Sequence, residues 1–186
     1  MIRLRAIAVL FVAAGIAVAA AGDGEADPDS RPGIVAEVID GDTVILDDGR
    51  EIRLVGIQAP KLPLGRAGFV AWPLADEAKR ALTELVLGKR VRPVFTGRRV
   101  DRHGRWLAHL HGDNGLWAQG AMLERGLARV YTFADNAAPI AEMLSREQAA
   151  RAARRGIWAN PFYAIRTPAN VGRHIGGFEL VGGLTA

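Results

Sequence analysis

The sequence predicts an α+β fold, a small closed β-barrel of five strands carrying three α-helices. Three observations predict it. Apolar and β-branched residues alternate in short runs at 34–39, 43–46 and 51–57, separated by Asp-Gly turns. Three longer runs repeat apolar residues at helical spacing, and a glycine follows each: Gly88, Gly126 and Gly156. The resulting order, β-β-β-α-β-β-α-α, is that of meandering strands that close on themselves and are covered by helices. A chain of 186 residues with 49% hydrophobic content has enough material for one core and is not a disordered chain. It has no Cys, which excludes a disulfide scaffold, a thiol nucleophile and Cys-ligated zinc.

The elements follow in chain order. Residues 1–21 place Arg3 and Arg5 before an uninterrupted apolar run that ends in Ala19-Ala20-Ala21. That run, 6–21, is shorter than the ~20 residues a membrane helix needs. It reads as a signal peptide cleaved after Ala21, so the expected location is secreted or periplasmic. Residues 22–32 are acidic, contain Pro28 and Pro32, and read as a linker. Gly41 lies in the first turn between strands, and Asp47-Asp48-Gly49 is a hairpin signal for the second. The segment 61–73 has breakers and no period, and long loops of this kind often carry function. A helix over 74–87 presents Leu74, Ala78, Ala81, Leu82, Leu85 and Val86 as one stripe. Strands are expected at 90–96 and 106–111, with the basic segment 97–105 between them. Helices follow at 116–125 and 139–155, the latter with Pro139 in its first turn and Arg151, Arg154 and Arg155 where the dipole favours cations. From 160 the chain is irregular until 178–181, a strand with no partner in this scheme. Five strands so arranged fit an oligonucleotide-binding (OB) barrel.

Charge divides the chain. Residues 22–60 hold ten acids and three bases, whereas 61–186 hold nineteen bases and ten acids. Of the 24 bases all but three are Arg, which suits bidentate phosphate contact. The asymmetry is either internal neutralisation or a cation pocket beside an anion-binding surface.

Five motifs carry the chemistry: Val38-Ile-Asp-Gly-Asp-Thr-Val44, Ile52-Arg-Leu-Val-Gly-Ile-Gln-Ala-Pro60, Asp101-Arg-His-Gly-Arg105, Gly126-Leu-Ala-Arg-Val-Tyr131 and Gly156-Ile-Trp158. In this order and spacing the set resembles the thermonuclease, or staphylococcal nuclease-like, family over residues 33–158, leaving 159–186 as a C-terminal extension. The resemblance implies a calcium-dependent nuclease acting on DNA or RNA. It makes Asp42 the first metal carboxylate with Asp40 beside it, and Arg53 and Arg105 the arginines that clamp the phosphate. Arg105 would also stabilise the leaving group. Arg102 and His103 fall where the family meets a terminal phosphate, and Tyr131 and Phe133 near its base-stacking positions.

Two residues depart from the family pattern Asp-(Thr or Ala)-Pro-Glu, which here reads Gln58-Ala59-Pro60-Lys61. Gln58 replaces a metal carboxylate, so the calcium site is weakened by one charge. Lys61 replaces the general base, a loss of ~10²–10⁴ in rate. Two expectations follow: phosphodiester hydrolysis that is weak or altered, or a catalytically inactive module that binds nucleic acid or a protein partner. Lys61 has two arrangements open to it, its ammonium turned onto Asp40 and Asp42 or out into solvent. His109-x-His111 has a spacing that suits zinc but lacks a third ligand, and reads as a strand face. Trp106, Trp117 and Trp158 read as packing residues. Arg90, Arg92, Arg98 and Arg99 extend an electropositive path to the cleft or form a solvated face.

Overall fold

A computed structural model describes residues 27–136, 139–174 and 178–182. The signal-peptide reading of 1–21 lies outside the described residues. Strands β1 (Gly33–Asp40), β2 (Thr43–Leu46) and β3 (Glu51–Leu54) form an antiparallel meander, with Val44 opposite Val38 and Ile52. A short β4 (Gly56–Gln58) follows, then α1 (Ala75–Val86), β5 (Arg90–Val94), β6 (Trp106–Gly112), α2 (Ala118–Glu124), β7 (Arg129–Tyr131), α3 (Ile140–Ala152), β8 (Ile165–Arg166) and β9 (Leu180–Val181). The barrel closes in the order β1-β2-β3-β6-β5. This confirms five strands and three helices, with one correction to the meander: β3 and β6 run parallel, Arg53 opposite Leu107.

The alternation read from sequence is the cause of the closure. Val35, Val38, Val44, Leu46, Ile52, Leu54, Val91, Ala108 and Leu110 all point inward and are buried. The stripe of α1 adds Ala78, Leu82 and Val86 to the same core. Fully burying a Leu or Ile contributes roughly 1.5–3 kcal/mol. Helix α1 approaches the β1–β2 turn so closely that a Cβ on Gly41 would meet the Cβ atoms of Ala59 and Ala78 at 2.6 and 2.7 Å. Only glycine fits between Asp40 and Asp42.

The run 51–57 is two strands, because the chain turns at Gly56, which has φ +83°. A side chain there would also strike Met143 of α3. The turn sends β4 out of the barrel to pair with β7, Gln58 opposite Arg129. Strand β7 was not expected from sequence: three residues show no period. Buried Gln119 of α2 secures this bend. Its Oε1 accepts the Leu110 N–H at 3.1 Å, and its Nε2 donates to the carbonyls of Ala108 and Val55.

Two peripheral segments dock on the barrel. Residues 28–30, placed in the linker from sequence, form a 3₁₀ turn. Arg50 donates to the Asp29 and Arg31 carbonyls there, and Asp27 and Asp29 both pair with Arg99. At the other end the strand expected at 178–181 finds its partner in β8, parallel, with Ile165 opposite Leu180. The ion pair Arg166–Glu179, 2.9 Å, closes that two-stranded sheet.

Candidate functional site

Strand ends and turns bring the sequence-derived residues to one side of the barrel. Asp40 ends β1 and Asp42 sits in the turn after it; Arg53 lies on β3, Gln58 ends β4, and Lys61 opens the loop beyond. Asp40, Arg53, Gln58 and Lys61 border a cleft of 720 Å³ that Arg98, Arg102, His103, Arg105, Tyr131 and Phe133 also line. Asp42 is beneath its floor, with 0% exposure.

A buried carboxylate must be neutralised or hydrogen-bonded, and Asp42 is both. Lys61 Nζ donates to its Oδ1 at 3.2 Å and to its Oδ2 at 2.9 Å. The Ala59 N–H donates to Oδ2 at 2.7 Å, and the Arg53 guanidinium stands 3.1 Å away. Burial alone would raise the Asp42 carboxyl; Arg53, Lys61 and the Ala59 amide outweigh it and hold the group below the ordinary carboxylate range. Asp40 goes the other way. Burial, then the charge of Asp42, push it up, although its Oδ1 accepts the Asp42 N–H at 3.0 Å. Of the two arrangements open to Lys61, its ammonium takes the inward one, and its bonds go to Asp42.

Arg53 is committed to the protein itself. It donates to the carbonyls of Asp42, Leu54 and Ile57 at 3.2, 2.7 and 2.9 Å, in addition to the Asp42 carboxylate. The Gln58 Oε1 is engaged elsewhere, accepting from Arg129. Calcium binds six to eight oxygens, several of them anionic. Here both oxygens of Asp42 are taken by cations and an amide, the Gln58 oxygen by a third cation. The donor set does not fit a calcium ion. No cluster of three His, Cys, Asp or Glu that suits a metal occurs among the described residues.

The turn 101–105 forms another part of the lining. Asp101 organises it: Oδ1 accepts the N–H groups of His103 and Arg105 at 2.8 and 3.1 Å, and Oδ2 binds the Arg105 side chain at 2.9 and 2.7 Å. Burial raises the Asp101 carboxyl, but Arg105 and these amides bring it below the ordinary range. Arg102 donates to His103 Nε2 at 3.0 Å. Tyr131 and Phe133 meet edge to face at 5.0 Å, and both are exposed, 40% and 59%. Of the four arginines proposed as a path, Arg90 pairs with Asp113 and Arg99 with Asp27 and Asp29, whereas Arg98 lines the cleft. The two histidines pack around Trp117: its Nε1 donates to His109 Nδ1 at 3.2 Å, and His111 stacks on its ring. Asp101 and Arg129 were quoted within motifs but given no role from sequence. For Asp101 the signal was present, an Asp opening a tight turn closed by Gly104. For Arg129 there was none, since its partner Gln58 is remote in sequence.

Comparison with known proteins agrees with this architecture. The family model described as staphylococcal nuclease homologue matches residues 51–160, more than half of the chain. An uncharacterized endonuclease of Escherichia coli O157:H7 is 33% identical over 131 residues, 69% of this chain and 77% of its own. Endonuclease YncB of Bacillus subtilis (strain 168) is 30% identical over 130 residues, 67% of this chain and 60% of its own. The thermonuclease of Staphylococcus hyicus is 26% identical over 129 residues, 68% and 75% of the two chains. The family model begins at β3 and takes in the cleft residues from Arg53 to Phe133, and on the extent of these matches the chain belongs to the staphylococcal nuclease homologue family.

Proposed function

We propose that this is an exported nucleic-acid-binding protein of nuclease type, which hydrolyses phosphodiester bonds slowly and without calcium. The observation that carries the reading is the cleft: Arg98, Arg102 and Arg105 line it together with the exposed rings of Tyr131 and Phe133. Cations beside open aromatic faces suit a strand whose phosphates and bases must both be met. Arg105 contributes most to any chemistry, because Asp101 fixes its orientation and it still faces the cleft. A preoriented guanidinium stabilises charge that builds on a phosphoryl group as its bonds to oxygen change. The relatives named endonuclease and thermonuclease support hydrolysis as the reaction type. Slowness follows from Lys61, which occupies the position of the family's base and is hydrogen-bonded to Asp42.

That same pair favours a second reading, a barrel that binds nucleic acid without cleaving it. Incubation of the chain from Gly22 with single-stranded DNA and RNA, in calcium and in EDTA, separates the two. Slow cleavage equal in both buffers and abolished by Arg105→Ala is the expected result. Binding without cleavage leaves the second reading; no binding of either DNA or RNA removes nucleic acid as the ligand.

A further inference from the structure

The floor of the cleft is charge-balanced without any added ion. Two carboxylates, Asp40 and Asp42, face two cations, Arg53 and Lys61, and the Lys61 ammonium spans both Asp42 oxygens. A divalent cation approaching Asp42 would meet this ammonium at contact distance, in surroundings too dry to screen the repulsion. Nor is Lys61 a loose side chain: it is only 21% exposed. The loop it opens is tied back at its far end, where the Trp72 N–H donates to the Lys61 carbonyl at 2.9 Å.

The C-terminal extension grips that tie. The Trp72 ring packs on Phe178, with centroids 4.2 Å apart, and on Phe162. Buried Tyr163 donates its hydroxyl to the Pro73 carbonyl at 2.7 Å. Phe178 reaches the other departure from the family pattern as well. Arg129, which holds the Gln58 oxygen, lies between the rings of Tyr131 and Phe178, at 4.9 and 5.5 Å. One aromatic residue, distant in sequence, packs on a hydrogen-bond partner of each, Trp72 for Lys61 and Arg129 for Gln58.

We infer that the Lys61 ammonium is the built-in cation of this centre, closing it to divalent ions, and that Trp72 and Phe178 are the residues that position it. This deepens the functional reading above and rests on it for the identity of the site, yet its test needs no nucleic acid. The full chain is melted and titrated calorimetrically with calcium chloride against EDTA. The wild type gives no heat of binding, and its melting temperature moves by less than about 1 °C. Lys61→Gln melts several degrees lower and recovers part of that loss in calcium. Lys61→Glu combined with Gln58→Asp binds calcium with measurable heat. Phe178→Ala gains a calcium response with Lys61 still present, whereas Phe178→Trp does not. A wild type stabilised by calcium overturns the inference, as do folded Lys61 variants that all ignore the ion. A Phe178→Ala protein indifferent to calcium, beside a responsive Lys61→Gln, overturns the positioning role. Failure of the wild type to bind nucleic acid would remove the functional reading and leave these curves unchanged.

Discussion

Asp40 and Asp42 stand two residues apart, and although burial raises both, their different partners give them opposite responses to pH. The Asp42 carboxyl is lowered by its cations, so its contribution to stability is present above the ordinary value near 4. It is lost as pH falls through the lowered value. Asp40 is raised, so ionising it costs stability, and that cost is relieved as pH falls through the window above its ordinary value. Urea unfolding followed from pH 7 to pH 2 is therefore expected to show an acid limb, shared with Asp101, that Asp42→Asn makes shallower. Asp40→Asn should melt higher than the wild type at pH 7, since the amide oxygen still accepts the Asp42 N–H. Lys61→Ala removes one of the two cations on buried Asp42, which keeps Arg53 and the Ala59 N–H, and is expected to cost about 1–3 kcal/mol by the same unfolding assay. The residue types of this floor were legible in the sequence, and so was their family position. Which way Lys61 turned was not, because a four-carbon stem reaches either side. Nor was the use of Arg53, whose guanidinium is spent on backbone carbonyls created by the Val55–Gly56 bend.

The strands and helices that hold these residues were legible wherever a period ran long enough. Strands β1, β2, β5 and β6 and all three helices stand within a few residues of their expected places. The pair β4 and β7 was hidden because each has three residues, and a strand that short displays no alternation. Gln119 was hidden for a different reason: in a helix an amide reads as surface, whereas here it satisfies the backbone of β6 and of the bend. Gln119→Leu keeps the volume but orphans the Leu110 N–H, an expected loss of about 1–3 kcal/mol in thermal or urea unfolding. Gly41→Ala tests the contact between α1 and the β1–β2 turn. A methyl at 2.6 Å from Ala59 and 2.7 Å from Ala78 must push the helix outward, which is expected to cost about 1–3 kcal/mol. A protein with unchanged melting temperature would show that α1 yields freely.

For the whole molecule, charge separation between the two parts of the chain has two physical outcomes, and both occur. Part of the acidic segment neutralises the basic part, as Asp27 and Asp29 do with Arg99. The remainder leaves the cleft wall positive, with Arg98 and Arg102 exposed there. Composition predicted the asymmetry but not this division, because the pairs join positions some seventy residues apart. Arg102→Ala is expected to weaken nucleic-acid binding evenly across sequences and to lower the slope of log affinity against log salt by about 1, measured by fluorescence anisotropy. The parallel pairing of β3 with β6 carries a further consequence, one of timing. Hairpins such as β1–β2 zip up locally, but Ile52 meets Trp106 only after the intervening helix and strand have been brought round, a closure with a large entropic barrier. Arg105 immediately precedes β6, so it arrives at the cleft in the step that seals the barrel. Any chain interrupted before that step has neither a finished core nor a basic wall, and the ability to grip a polyanion is born in the same instant as the native state.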